Sequence, residues 1–190
     1  MEDRRNNRIG VPETALKITG TVILRSHPAG TLHLYQSLME LGRKELAREL
    51  IEDGKIERVQ KNLIVTSPNY GLDLIVQRLI GTNTYSLNIT HGAIGTGTTT
   101  PTTSDTQLGT EIARVPVTYS ADNQNSVAAI QFFFPDATLP NDTYSEFGTF
   151  VDATNTAASG QMFNHALFAV PYAKVAGVDI TVEVDFTITQ

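Results

Sequence analysis

The chain has 190 residues, which is enough for one domain of ordinary size with a sizeable apolar core. It contains no cysteine, and this excludes disulfides, thiolate metal sites and cysteine nucleophiles. The formal net charge of −6 is unevenly placed, because residues 1–80 carry 12 Lys and Arg against 10 Asp and Glu, whereas residues 81–190 carry 2 against 10. An acidic second half cannot neutralise a row of phosphates, so no direct nucleic-acid contact is expected.

The start of the chain shows no targeting pattern. No charged segment followed by an apolar one opens it, and no apolar run reaches the roughly 18 residues of a membrane span. We therefore expect a protein that is made in a cytosol and is neither secreted by a cleaved signal nor embedded in a bilayer. Residues 1–15 hold few apolar side chains and predict an extended arm. Its Arg4, Arg5 and Arg8 are candidates for contact with an acidic partner, and the alternative is a solvated polar terminus.

The first half mixes strand and helix patterns. β-branched runs indicate strands, and leucines at helical spacing followed by glycine indicate helices with defined ends. The predicted elements are a strand at Lys17–Leu24, a helix at Leu38–Asp53, short strands at Lys55–Gln60 and Leu63–Thr66, and a second helix that ends at Gly81. We expect residues 16–81 to form a strand and helix segment that packs on a separate β domain.

After residue 81 the composition changes to runs of Val, Ile, Thr, Phe and Tyr separated by turn residues. The predicted strands are Asn88–Ile94, Ala113–Ser120, Ser126–Phe134, Tyr144–Val151, Gln161–Ala169 and Val178–Thr189. Several strands at short, regular spacing indicate a sandwich or a barrel. The fold class expected here is mainly β: an antiparallel, jelly-roll-like β-sandwich over residues 82–190, with the N-terminal extended arm and one or two short helices.

Two of these strands make further predictions. Val178–Thr189 alternates apolar and polar residues throughout, which predicts one buried face and one wet face. The run Phe132, Phe133 and Phe134 lacks polar alternation, which predicts burial on both faces, in the core or at a subunit contact. These phenylalanines join the three arginines as a candidate interaction surface. The amount of apolar surface predicts a homotrimer or another symmetric homo-oligomer.

Three glycines near one loop raise the question of a phosphate-binding loop, but the rest of that motif is missing. Gly92, Gly95 and Gly97 lie close together, but the Lys-Ser/Thr pair and the following helix of a phosphate loop are missing. Threonines, a proline and a serine follow instead. We therefore expect Gly95–Asp105 to be a structural connector without a ligand.

No cluster of titratable residues has the spacing of a known site. A combination of His91, Ser104 and Asp105 lacks the nucleophile elbow of a hydrolase. Helical zinc spacing is absent from the histidines, which are His27, His33, His91 and His165. Calcium-loop spacing is absent from the aspartates near strand ends, which are Asp136, Asp142 and Asp152. The sequence thus predicts no catalytic, cofactor-binding or metal-binding residue, and no enzyme.

Two passages resemble the β-sandwich structural proteins of tailed-bacteriophage virions. The first is NLIVTSPNYGLDLIVQRLIG followed by ITHGAIGTGTTTPTTSDTQLGTEIAR. In those proteins a similar order recurs: a strand, a helix and a second strand that ends in GTG. A Thr/Pro loop and the short motifs D-T-x-L and E-x-x-R then follow. The second is YSEFGTF, a turn and QMFNHALFA, which resembles an I-x-E-(F/I)-G-L-F strand and hairpin, with Thr149 in place of the leucine. The resemblance covers roughly Asn62–Gln190.

This resemblance implies a non-enzymatic virion structural protein that is assembled in the host cytoplasm. The leading interpretation is a tail or baseplate-associated component or a fibre attachment. The first alternative is a capsid decoration (cement) protein that clamps capsomers with its arm. The second is a carbohydrate-binding receptor-recognition module, although the chain lacks the tryptophans that sugar sites often use. The expected partners are the chain itself and other virion proteins, with no membrane, nucleic acid or cofactor.

Overall fold

The computed structural model describes residues 17–82, 84–122 and 126–190. The predicted arm, with Arg4, Arg5 and Arg8, lies outside them. The elements are β1 (Lys17–Pro28), α1 (Thr31–Glu40), α2 (Lys44–Glu52), β2 (Lys55–Ile64), α3 (Leu72–Leu79), β3 (Ile89–Gly95), β4 (Glu111–Asp122), β5 (Val127–Phe134), β6 (Thr143–Val151), β7 (Gln161–Ala173) and β8 (Val178–Thr189). The prediction of a mainly β chain is confirmed.

The strands form one closed antiparallel barrel in the order β1-β2-β7-β6-β3-β4-β5-β8, so the predicted β-sandwich is wrong. Strand β1 closes the barrel: it pairs with β8 from Lys17↔Thr189 to Pro28↔Val178, and with β2 on its other edge. β1 and β2 therefore belong to the same sheet as the strands that follow residue 82. An alternating pattern describes a sandwich and a barrel equally well, because both bury one face of each strand.

Inward-pointing side chains fill much of the barrel. The rings of Phe132 and Phe134 on β5 are fully buried, and their centroids lie 5.6 Å and 6.4 Å from that of Phe147 on β6. Alternate residues of β8 are buried with them, as the alternation predicts; they are Ile180, Val182, Val184 and Phe186. Burial of such side chains is the main stabilising contribution to the fold.

The opposite face of β8 is less wet than predicted, because α1 covers part of it. Asp179 and Thr181 are both 2% exposed. The backbone N–H of Leu32, in α1, donates to the Asp179 carboxylate at 3.3 Å. His27 of β1 forms a hydrogen bond with the Thr181 hydroxyl at 2.8 Å. The outer face of β8, predicted to contact solvent, is therefore partly buried against α1.

Phe133 lies on the same outer side of the barrel. It packs with Tyr35 of α1 and with Ala47 and Ile51 of α2, and is 4% exposed. Burial of the three phenylalanines on both faces, as predicted from the sequence, is therefore achieved within one chain. They form part of its core and contribute no exposed surface, which corrects their assignment as a candidate interaction surface.

The helix predicted over Leu38–Asp53 is two helices, α1 and α2. Gly42 lies between them with φ of +70°, a backbone conformation that glycine adopts at low cost and that ends α1. Leucine spacing continues on both sides of this turn, so the periodicity alone predicts one helix. The two short strands predicted after it are the single strand β2.

The contact between β2 and β7 is the least regular seam of the barrel. Backbone pairing is limited to Leu63↔His165 and Ile64↔Asn164. Further along, side chains of β2 bridge the two strands. The Arg58 guanidinium donates to the Val170 and Pro171 carbonyls at 2.5 Å and 2.6 Å, and the Gln60 side-chain carbonyl accepts from the Ala169 N–H at 3.1 Å.

Candidate functional site

The loop between β3 and β4, residues 96–110, folds back onto the outside of the barrel. Leu108 packs there with Ala93 of β3, Phe150 of β6 and Met162 of β7. The backbone N–H of Thr66 donates to the carbonyl of Thr103 at 2.8 Å. The segment expected to be a plain connector therefore covers the outer face of three strands.

Glu146 of β6 holds this loop at both ends. Its side chain is almost fully buried, and the carboxylate accepts backbone N–H groups from Gly97 (2.9 Å), Gly109 (3.0 Å) and Thr110 (2.7 Å). The adjacent Ser145 hydroxyl donates to the Gly97 carbonyl at 2.8 Å. A single carboxylate thus satisfies three backbone donors that burial would otherwise leave without partners.

His165 of β7 extends this arrangement. Its Nε2 lies 3.0 Å from the Glu146 carboxylate, and its Nδ1 lies 2.6 Å from the Asp105 carboxylate. Asp105 also accepts the backbone N–H of Thr102 at 2.9 Å and its hydroxyl at 2.6 Å. We call Glu146, His165 and Asp105 the clamp cluster, because together they tie the loop to β6 and β7.

The clamp cluster favours an imidazolium between two carboxylates. Burial alone raises the pKa of Glu146, but the hydrogen bonds from His165 and the three amides outweigh it, and the pKa is lowered. Burial likewise lowers the pKa of His165, yet its hydrogen bonds to Glu146 and Asp105 raise the pKa overall. The pKa of Asp105 is lowered against the opposing effect of burial, by its hydrogen bonds to Thr102 and His165.

This geometry suits a structural role better than acid–base catalysis. A catalytic histidine needs one ring nitrogen free to accept a proton from a nucleophile. Both nitrogens of His165 face carboxylates instead, and both oxygens of Glu146 are engaged by donors from the chain itself. The cluster can therefore hold the loop, and it offers no free base.

The structure does not assemble the His91, Ser104 and Asp105 combination. The ring nitrogens of His91 contact Thr90 at 3.0 Å and Asn155 at 3.2 Å, while Asp105 pairs with His165. The remaining histidines are separate from the cluster. His27 is buried beside β8, and His33 is exposed on α1.

The three aspartates near strand ends have separate roles. Asp136 pairs with the buried Lys174 ammonium at 2.5 Å, and Asp142 accepts the N–H of Thr143 at 2.7 Å. Asp152 accepts both the N–H and the hydroxyl of Ser86, at 2.7 Å and 2.5 Å. In the part of the chain that the structure describes, no three His, Asp or Glu side chains form a metal-ligand group.

Sequence reasoning missed the clamp cluster because its members are far apart in the chain. The one local signal is Glu146 itself, a carboxylate beside Phe147 in the predicted strand Tyr144–Val151, whose burial only the structure shows. Buried carboxylates are normally paired, so its position indicates a partner without identifying it.

Fold and site together define a closed eight-stranded antiparallel barrel whose outer loop is tied down by a buried carboxylate. No protein-family model matches the chain, and neither the curated proteins nor the solved structures include a significant match. None of the three helices that the structure describes has the length and apolarity required to cross a bilayer.

Two glycines of the loop provide a matched test of the clamp. A Cβ on Gly97 would lie 2.3 Å from Glu146 Oε1, whereas a Cβ on Gly109 would meet the same carboxylate at ordinary contact distance, 3.6 Å. Neither glycine has a positive φ, so close approach, and not backbone conformation, requires glycine at position 97.

We expect Gly97→Ala to lower the free energy of unfolding by about 1–3 kcal/mol, because the new methyl group pushes the carboxylate off its amides. Gly109→Ala is expected to change it by less than about 1 kcal/mol. Urea unfolding followed by circular dichroism measures both values. Equal losses in the two variants would show that the carboxylate is not the reason for glycine at position 97.

Proposed function

We propose that this chain is a non-enzymatic structural protein of a tailed-bacteriophage virion, a tail or baseplate-associated or fibre-attachment component that assembles as a symmetric homo-oligomer. The resemblance of Asn62–Gln190 to such proteins supports the virion assignment. The observation that carries the proposal is apolar surface left exposed on α3.

Helix α3 is apolar on more than one side. Leu74 is 2% exposed and anchors the helix to the barrel core, whereas Val76, Leu79 and Ile80, at its C-terminal end, are 53%, 81% and 73% exposed. A surface helix normally has a single apolar stripe facing its own core. Clustered exposed apolar residues mark interaction sites, so this end of α3 is suited to contact another chain.

A second exposed apolar group lies at the seam between β2 and β7. Ile56 and Val59 of β2 are 56% and 61% exposed, and Val170 of β7 is 63% exposed. The Arg58 side chain links the two strands at this point. Two separate apolar surfaces support a building block that contacts more than one neighbour.

The clamp cluster supports the non-enzymatic part of the proposal. Its charged groups are satisfied within the chain and hold a loop in place, so their chemistry accounts for stability. A protein of this kind acts through its surfaces, and its function depends on what those surfaces contact.

We expect the purified chain to form oligomers whose mass is a multiple of the 20.7 kDa chain mass, and the double substitution Leu79→Lys/Ile80→Lys to dissociate them. Two buried ammonium groups in an apolar contact are costly unless they find partners. Light scattering coupled to gel filtration measures the mass. Leu46→Lys on α2, at another exposed apolar residue, serves as the control and should leave the oligomer intact.

The location is tested on purified phage particles by mass spectrometry and by immunogold labelling with an antibody against the chain. A virion component is expected in fixed copy number at one place on the particle, and labelling of the tail or baseplate would agree with the proposal. A chain that is abundant in infected cells but absent from particles would contradict it. Labelling spread over the head would instead favour the decoration alternative.

A further inference from the structure

Residues 29–54 leave the barrel between β1 and β2 and contain the helices α1 and α2. β1 and β2 pair directly with each other from Ser26↔Lys55 onward, so this segment is an insertion between two paired strands and contributes no strand of its own. The two helices contact each other more than either contacts any one strand. We call residues 29–54 the helical cap. The cap can move without breaking a strand pair of the barrel.

The helical cap packs loosely on the barrel. A cleft of about 620 Å³ lies where the end of α2 meets β1, and His27, Leu50 and Gly54 are among the residues that line it. A second cleft of about 670 Å³ lies between α1 and β4, with Tyr35 on one side and Val117 on the other. Close-packed interiors leave few gaps of this kind. The cap therefore buries less surface against the barrel than a closely packed helix pair would bury.

The barrel face beneath the cap contains polar groups beside Phe133. Arg25 and Phe133 both lie opposite Thr181, on either side of β8, and therefore share the outer face of the sheet. Arg25 is 8% exposed and its Nη1 lies 3.5 Å from the Glu183 carboxylate, yet among the described residues its Nε and Nη1 have no hydrogen-bond partner. The buried hydroxyl of Tyr35, in the cap, likewise has none among them. Since water satisfies such groups when they are exposed, opening costs less than the apolar contacts alone imply.

His27 lies at the contact between the cap and the barrel. Its ring stacks on Phe133 with centroids 6.0 Å apart and forms the hydrogen bond to Thr181. The ring also lies against Gly54 at the end of the cap, where an added Cβ would be 2.1 Å from it. Burial and the charge of Arg25 lower the pKa of His27 to about 4 in this closed arrangement. Removing the cap from the ring removes part of that burial, so the open arrangement binds a proton more readily.

The groups around His27 do not neutralise an added proton in the closed form. Arg25 on the same strand carries a like charge. Asp179 of β8 favours the proton, but its carboxylate already accepts two backbone N–H groups, at 3.3 Å and 2.7 Å. α1 and β5 contribute Thr31 and Phe133 to this contact, and neither of them titrates. The charged residues that line the cleft beside His27 are exposed to solvent; they are Asp53 at the end of the cap and Lys55 of β2.

We propose that the helical cap opens from the barrel as one unit while the strands stay paired, and that protonation of His27 favours the open form. Acid then uncovers Phe133 together with the Arg25 and Glu183 pair, a surface that the cap covers at neutral pH. The cap is thus a pH-sensitive conformational device built on the outside of the barrel. The proposal goes beyond the virion role and does not depend on it.

Thiol labelling measures the opening, because the chain contains no cysteine of its own. Ala47→Cys places a thiol in the cap at a residue that is 0% exposed, and Ala166→Cys makes the same change inside the barrel at a residue that is 1% exposed. The probe is 4,4′-dithiodipyridine, and each labelling rate is divided by that of the same variant in denaturant, which gives the fraction open. At pH 7 we expect this fraction to be at least about tenfold larger at position 47 than at position 166. Equal fractions would mean that the cap opens only when the whole chain unfolds, and would overturn the proposal.

Between pH 7 and pH 5 the fraction open at position 47 is expected to rise by up to about 20-fold, the ratio that follows when opening returns the pKa of His27 from about 4 to 6.5. His27→Gln keeps a side chain that can bond to Thr181 and should remove most of this rise. His33→Gln changes an exposed histidine of α1 and serves as the control that keeps it. A fraction open that does not change with pH, or a rise that persists in His27→Gln, contradicts the role of His27.

Hydrogen exchange on the unchanged chain decides the question if a variant does not fold, which its thermal melt shows. Amides of α1 and α2 are expected to be less protected than those of β5 and β8 at pH 7. After correction for the intrinsic pH dependence of exchange, they should also lose protection first at pH 5. Equal protection of the cap and the barrel, or loss of protection in both at the same pH, overturns the proposal.

Discussion

Replacing Glu146 with alanine is expected to lower the free energy of unfolding by about 3–5 kcal/mol, the range found when one partner of a buried charged group is removed. The Gly97, Gly109 and Thr110 amides lose their acceptor, and the His165 imidazolium loses one of its two carboxylates. Each buried donor without a partner costs about 1–3 kcal/mol. Denaturant unfolding measures the loss, and hydrogen exchange at the three amides should accelerate.

Glu146→Gln separates charge from shape. The glutamine keeps one carbonyl acceptor but turns an NH₂ group toward backbone donors. We therefore expect it to lower the free energy of unfolding by less than Glu146→Ala does. Glu52→Gln is the control, because Glu52 is half-exposed in an i,i+4 pair with Arg48, and such pairs contribute about 0.3–0.5 kcal/mol. If Glu146→Ala cost no more than the control, the loop would be held by apolar packing of Leu108 and not by the carboxylate.

Acidification from pH 7 to pH 4 is expected to cost about 3 kcal/mol of stability through His27 alone, since one pKa unit corresponds to about 1.4 kcal/mol. Burial, followed by the charge of Arg25, lowers the pKa of His27 to about 4 in the folded chain, and Asp179 only partly offsets this. The unfolded chain, with a His pKa near 6.5, therefore binds the proton first. The contribution of His27 is complete above pH 6.5 and is lost as the pH falls toward 4.

His165 has the opposite pH dependence. Its pKa is raised in the folded chain, so its contribution is complete below pH 6.5 and is lost as the pH rises through the raised value. Denaturant unfolding from pH 4 to pH 9 measures both effects. His27→Gln should flatten the acid side of the profile, and His165→Gln the alkaline side. The assignment of the two environments is contradicted if the variants flatten the same side.

Much of the secondary structure is encoded locally. The Val178–Thr189 strand is found with the predicted bounds, because apolar and polar residues alternate over its whole length. Such alternation is a property of neighbouring residues and can be read from the sequence alone. The strands between residues 88 and 169 are found within a few residues of their predicted bounds for the same reason. Local patterns also mark which side chains face the barrel interior, since a strand presents alternate residues to opposite faces.

Tertiary structure decided the rest. A sandwich and a barrel have the same alternating pattern, and the barrel is distinguished here by the pairing of β1 with β8. In that pairing Lys17 lies opposite Thr189, more than 160 positions away in the chain. No local property of either strand records that pairing. Gly42 separates two helices that both pack on the same barrel face around Phe133, and the leucine spacing does not record that packing.

The clamp cluster also depends on pairing between distant strands. Glu146 lies opposite Leu167 in the β6–β7 ladder, and His165 lies two residues before Leu167 on the same outer face. The loop between β3 and β4 brings Asp105 into contact with the other ring nitrogen of His165. The sequence by itself determined only that a carboxylate, Glu146, stands in a strand. Only the folded barrel determined that the partners are His165 and three loop amides, because sheet register decides which side chains meet across strands.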